Sequence, residues 1–135
     1  MIKDKTYIYD CTIEFEDVDS YEIAHHSKLI NLLERARVHF FDDQNLSVTD
    51  GKLNLVMVSM EVKFLKPAKL LSKLQVHLSV DKISSASLVW DYKILENDNI
   101  LLESKVKQAS VDINTMRPSR FADEYLAALK NITKD

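Results

Sequence analysis

Apolar residues along this chain change their spacing several times, and each change marks a new element. Tyr7, Tyr9, Cys11, Ile13 and Phe15 alternate with polar neighbours, which predicts a first strand over about residues 5–15. Leu29, Leu33, Ala36 and Phe40, flanked by Ile30, Leu32 and Phe41, recur at helical spacing. That run predicts a long central helix with a wide apolar face, ending at the breaker Asp42-Asp43-Gln44-Asn45, with Ser27 as its N-cap. Four extended segments follow, at about residues 53–65, 74–83, 86–95 and 100–113, and read as an antiparallel meander. Leu74, Val76, Leu78 and Val80 share one face, and Ala86, Leu88, Trp90, Tyr92 and Ile94 share another, which predicts a hairpin between those two strands. Asn97-Asp98-Asn99 supplies the next turn. In the last strand the apolar phase passes from Ile100, Leu102 and Val106 to Ala109, Val111 and Ile113, which predicts a bulge or sharp bend within it.

Pro118 then introduces Phe121, Tyr125, Leu126 and Leu129 at helical spacing, so a short terminal helix is expected. The order of one strand, a long helix, four strands and a short helix describes an α+β fold. An antiparallel sheet of about five strands is expected to wrap around the helix in a single domain, residues 1–135.

Composition narrows the functional classes. The 18 basic and 21 acidic residues leave a formal charge of −3 and are spread along the chain, so nothing marks a nucleic-acid surface. Cys11 is the only cysteine, which excludes an intramolecular disulfide. The start, Met1-Ile2-Lys3-Asp4-Lys5, lacks the apolar core of a signal peptide, so a reducing cytoplasm is the expected location. No apolar run approaches the roughly 20 residues needed to span a bilayer, and no membrane span is expected.

Candidate chemistry concentrates between the first strand and the helix. Glu16-Asp17-Val18-Asp19 and the nearby His25-His26 place carboxylates and imidazoles on one loop. A helix that starts there offers free backbone N–H groups and the positive end of its dipole to developing negative charge. These parts suit acyl transfer. Asp17 reads as a hydrogen-bond acceptor that stabilises the loop. The four side chains lack a recognised ligand spacing, so no metal is expected. Cys11 reads as core and His77 as surface.

This order of elements, together with Asp17-Val18-Asp19, His26 and Glu34-Arg35-Ala36-Arg37, resembles the hotdog-fold acyl-CoA thioesterases of the 4-hydroxybenzoyl-CoA thioesterase type. Phe64-Leu65-Lys66-Pro67-Ala68 and the stretch from Val111-Asp112 to Arg117-Pro118-Ser119-Arg120 extend the likeness over nearly the whole chain. The resemblance implies hydrolysis of an acyl thioester, carried by coenzyme A or a phosphopantetheinyl carrier protein, with no cofactor. It implies Asp19 as the catalytic carboxylate, either nucleophile or general base, and the backbone N–H of His26 as the group that polarises the thioester carbonyl. His26 is a site residue whose ring has an open role.

Asp17, His25, Glu34, Arg37, Met57, Ser59 and Met60 are carried as substrate-binding candidates, and Leu33 as a further residue shaping the acyl site. Arg117 and Arg120, with Lys63, Lys66 and Lys69, are candidates for the phosphates of coenzyme A or an acidic carrier face. The resemblance further implies a homodimer or homotetramer with the site between subunits. Tyr21 and Glu22 replace the small, often glycine-containing positions after the Asp, Lys28 and Leu29 replace an Asn and an aromatic, and Leu71-Ser72 replaces a Gly-Asp-like turn. These departures lean toward a specialised biosynthetic thioesterase. The competing reading is a hotdog protein that binds an acyl thioester or lipid without turnover.

Overall fold

A computed structural model describes residues 1–134 of the chain. Strand β1 (Ile2–Lys3) turns at once into β2 (Thr6–Thr12), and a single 3-10 turn at Phe15–Asp17 leads to helix α1 (His26–Asp43). Strands β3 (Leu55–Phe64), β4 (Lys73–Ile83), β5 (Ser87–Glu96) and β6 (Asn99–Ser110) follow, and helix α2 (Asp123–Lys130) closes the fold. All six strands form one antiparallel sheet in the order β1-β2-β4-β5-β6-β3.

That order corrects the simple meander. Strands β4, β5 and β6 do follow one another, and β4 and β5 form the expected hairpin, but β3 lies on the far side of β6. β4 pairs instead with β2. Strand spacing along a sequence carries the period of a strand but not the neighbour it chooses.

The helix covers the concave face. Leu29, Leu32, Leu33, Ala36, Phe40 and Phe41 are buried along α1 and join one core with Val76, Leu78, Val80, Trp90, Tyr92 and Ile94 of the sheet. Phe41 meets Trp90 edge-on at 6.0 Å and Phe40 meets Tyr7 at 5.5 Å. Each such side chain removed from water contributes about 1.5–3 kcal/mol, so this apolar stripe holds α1 against the sheet. Leu33 has no exposed surface and belongs to this core rather than to an acyl site.

Three local expectations change. Phe15 does not extend the first strand; it sits in the 3-10 turn and is 82% exposed. The N-cap of α1 is His25, with no side-chain cap hydrogen bond, so the helix begins before Ser27. The phase change expected late in the last strand is absent. Leu102, Ser104, Val106, Gln108 and Ser110 keep one unbroken inward phase, and the polar members of that row imitate a shift. The irregularities lie elsewhere, at Leu101 opposite β5 and at Val58 of β3, which adds one residue against β6.

β3 is an edge. Among the described residues its outer side has no strand partner, and Met57 and Val58 are about half exposed there. Among the described residues no helix is long and apolar enough to cross a membrane.

Candidate active site

The loop between β2 and α1 is held by backbone bonds from both ends. Val18 and Ala24 form an antiparallel bridge, the His25 N–H donates to the Asp17 carbonyl at 2.9 Å, and the Ala24 N–H donates to the Ala68 carbonyl at 2.8 Å. The segment after β3 adds a second clamp, where the Leu70 N–H donates to the Glu22 carbonyl at 3.0 Å. With Ala68 and Ala24 both buried, little room remains for the loop to shift.

Asp17 and Asp19 have different surroundings. Asp17 is 8% exposed, and its Oδ2 accepts the Glu14 N–H at 2.9 Å, so its carboxylate stabilises the 3-10 turn. Asp19 is partly exposed. Its Oδ1 accepts the N–H groups of Tyr21, at 2.8 Å, and Ile23, at 3.2 Å. Oδ2 takes no protein hydrogen bond among the described residues. One oxygen anchors the loop and the other remains available to a ligand. Glu22 completes this turn in the left-handed region, at φ 61°.

Helix α1 starts directly beyond. His25 directs its carbonyl to the N–H groups of Lys28 and Leu29, while those of His26 and Ser27 have no protein acceptor among the described residues. Free first-turn N–H groups at the positive end of an 18-residue helix form an anion-attracting end. The His26 ring lies flat on Phe64, with centroids 4.1 Å apart and planes 19° apart, which ties the start of α1 to the end of β3. Sequence reasoning gave Phe64 no role at the site, although its place at the strand end before Leu65-Lys66-Pro67 was visible. His25 and His26 are exposed.

The remaining candidates divide by position. Met57, Ser59 and Met60 line up on β3, with Met60 packed against the core and the other two exposed. Glu34 is exposed on α1, 3.9 Å from Arg37. Arg37 is 9% exposed, and its Nη1 donates to Tyr92 Oη at 2.7 Å. Burial pushes the Tyr92 phenol above its ordinary range despite the neighbouring guanidinium. Arg117 and Arg120 lie in the exposed loop beyond β6, beside the Leu55 end of β3. His26 sits at the Phe64 end, and ten residues of strand span about 30 Å. Within one chain these arginines do not join Asp19.

Elsewhere the side chains behave as packing predicts. Burial, assisted by Asp10, pushes the Cys11 thiol up to about 11, and burial with Lys93 lowers the His77 imidazole. Among the described residues no group of three or more His, Cys, Asp or Glu side chains is arranged to hold a metal.

Comparison with known proteins gives the family. Acyl-CoA thioesterase YbgC of Haemophilus influenzae is 24% identical over 133 residues, covering 96% of this chain and 98% of that protein. Acyl-CoA thioester hydrolase YbgC of Escherichia coli is 27% identical over 124 residues, covering 87% of this chain and 91% of its own length. The solved structure of a 1,4-dihydroxy-2-naphthoyl-CoA thioesterase from Synechocystis superimposes with a TM-score of 0.86 at 17% identity, covering 93% and 96% of the two chains. A family model described as the thioesterase-like superfamily matches residues 13–129. With the hotdog fold and the family model agreeing over nearly the whole chain, this protein belongs to the thioesterase-like superfamily and is a thioesterase.

Proposed function

We propose that this protein hydrolyses acyl-CoA thioesters with Asp19 as its catalytic carboxylate and the N-terminal N–H groups of α1 as oxyanion donors. One observation carries the reading: a carboxylate with one anchored and one available oxygen stands on the loop that opens into an uncapped helix. A carbonyl oxygen directed at the His26 and Ser27 N–H groups becomes more electrophilic at carbon, and one such donor is worth about 3 kcal/mol. Two routes start from the same oxygen. Asp19 takes a proton from water while the resulting hydroxide adds to the carbonyl carbon, or Asp19 itself adds and forms an anhydride that water then opens. In both, the C–S bond breaks, the thiolate leaves and takes up a proton, and the free acid departs.

The exposed edge of β3 supports a homodimer in which two copies join their sheets. Antiparallel pairing about a two-fold axis sets the Leu55 end of one β3 beside the Phe64 end of the other. Arg37, Arg117 and Arg120 of one subunit then approach the Asp19 loop of its partner. Ser59 and Met57 face the join, Met60 and Asp17 hold the walls, and Glu34 and His25 border the opening. A cytoplasmic location accords with the single reduced cysteine.

The test is thiol release from a panel of acyl-CoA and acyl-carrier-protein thioesters, with the oligomeric state measured by ultracentrifugation. Turnover by a dimer, faster on CoA than on carrier thioesters, is the expected result. Saturable binding without thiol release from any substrate would overturn it in favour of a non-catalytic acyl-thioester binder.

A further inference from the structure

A cleft of about 320 Å³ opens between α1, the loop leading to β3 and the start of β3. Most of its wall is apolar, with Phe41, Leu53, Val56 and Ile113 among the residues that line it. Arg37, Gln108, Asn54 and Glu34 interrupt that wall, and Arg37 and Gln108 are its buried polar members. Both are deeply buried, at 9% and 6% exposure.

Arg37 is a buried cation whose one ion-pair partner among the described residues, Glu34, is largely in solvent. Its Nη1 donates to the neutral Tyr92 hydroxyl, and the nearest carboxylate oxygen, on exposed Glu34, is 3.9 Å away, beyond hydrogen-bond distance. Its other donors have no hydrogen-bond partner among the described residues. No buried side-chain nitrogen or oxygen is left unpartnered among the described residues, so these donors reach accessible space. Burying a guanidinium costs free energy that the distant, exposed Glu34 offsets only weakly, so a closer anion is favoured.

Gln108 supplies a second donor by elimination. The indole N–H of Trp90 can only donate, and it does so to Gln108 Oε1 at 2.8 Å. This fixes the amide orientation and leaves the Gln108 NH₂ as the free end in a residue lining the cleft. A forked cation and an amide donor within an apolar wall match a single planar carboxylate joined to a hydrocarbon.

We propose that this cleft receives the far end of the acyl group, and that Arg37 and Gln108 select acyl thioesters ending in a carboxylate. The inference rests on the thioesterase reading and names its substrate class. Position agrees with it. Arg37 lies three turns along α1 from His26, about 16 Å away, so the cleft is remote from the thioester in one chain. In the proposed dimer it borders the partner's Asp19 loop.

Thiol release is compared for CoA thioesters of equal length that end in methyl or carboxylate, hexanoyl with adipoyl and decanoyl with sebacoyl. Wild type is expected to favour the carboxylate member in kcat/KM by about tenfold or more at one length at least. In Arg37→Met, which keeps an apolar side chain of similar reach, that ratio falls to near one. Val56→Asp, which puts a competing carboxylate in the wall while keeping Arg37, reduces the ratio as well and serves if Arg37→Met misfolds. A wild-type ratio at or below one at both lengths, or a ratio indifferent to these variants, would overturn the proposal.

If no thioester releases thiol, the thioesterase reading fails, and calorimetric affinities for the same pairs decide the cleft separately by the same ratios. Free adipate and inorganic phosphate form the last arm. Arg37-dependent binding of either, without discrimination between paired thioesters, would identify a free-anion site and contradict the acyl assignment.

Discussion

Leu71 and Glu22 carry the local cost of this chain's departures from the family pattern. Both adopt positive φ, 67° and 61°, where a Cβ crowds the following carbonyl by about 1–2 kcal/mol. The substitution of bulky residues for glycine-like positions was readable in the sequence, and the backbone kept the turns nonetheless, because bonds from Leu70 and Leu71 to Glu22 and Ile13 determine them. Leu71→Gly is therefore expected to raise stability by about 0.5–1 kcal/mol in urea denaturation, the relief exceeding the added freedom of the unfolded chain. Cys11 is half-buried on β2. Its thiol ionises only near about 11 when folded, against an ordinary value of 9.0, so the folded chain keeps its proton longer. The contribution of this thiol to stability is unaffected below pH 9 and is lost as pH rises from there toward 11. Native protein is expected to resist iodoacetamide at pH 8, and rapid labelling of folded chain would contradict the packing of this half-buried thiol against the core.

At the scale of elements, the start of α1 separates backbone from side chain. His26 occupies the first helical position, where proline is well tolerated, and His25 before it already has the extended geometry, φ −62° and ψ 144°, that proline demands. His26→Pro removes the N–H and keeps the helix; His26→Ala removes the ring and keeps the N–H. The first is expected to lower kcat by about 100-fold and the second by no more than about tenfold. A larger loss in His26→Ala would assign the chemistry to the ring.

The helix itself was legible because Leu29, Leu33, Ala36 and Phe40 repeat on one face, and β2, β4 and β5 because their apolar residues alternate. The start of α1 was not, since its cap uses only backbone. In β6 the inward row includes the polar Ser104 and Gln108, whose Oγ and Oε1 are partnered by the Glu61 carbonyl and the Trp90 indole, and a one-dimensional pattern does not show such residues facing inward.

For the whole molecule, the sheet order decides what assembly can do. Local periodicity contained no sign that β3 passes to the outer side of β6, and with that missing, Arg117 and Arg120 could not be separated from Asp19. The edge this creates predicts that activity requires the dimer. Met57→Lys with Val58→Lys places charges on the exposed edge, and sedimentation is expected to show monomer with thiol release reduced about 100-fold or more; an active monomer would put the site within one chain.

If the Asp19 carboxylate performs the hydrolysis, Asp19→Asn removes the reacting group and little else. The amide retains an oxygen for the Tyr21 and Ile23 N–H groups, so the loop persists while the charge is lost. The measurement is kcat/KM for thiol release by wild type and Asp19→Asn, with thermal melting and dimer mass as controls. A fall of about 1000-fold in an intact, equally stable dimer is predicted. Turnover within about tenfold of wild type would rule out Asp19 as the catalytic carboxylate.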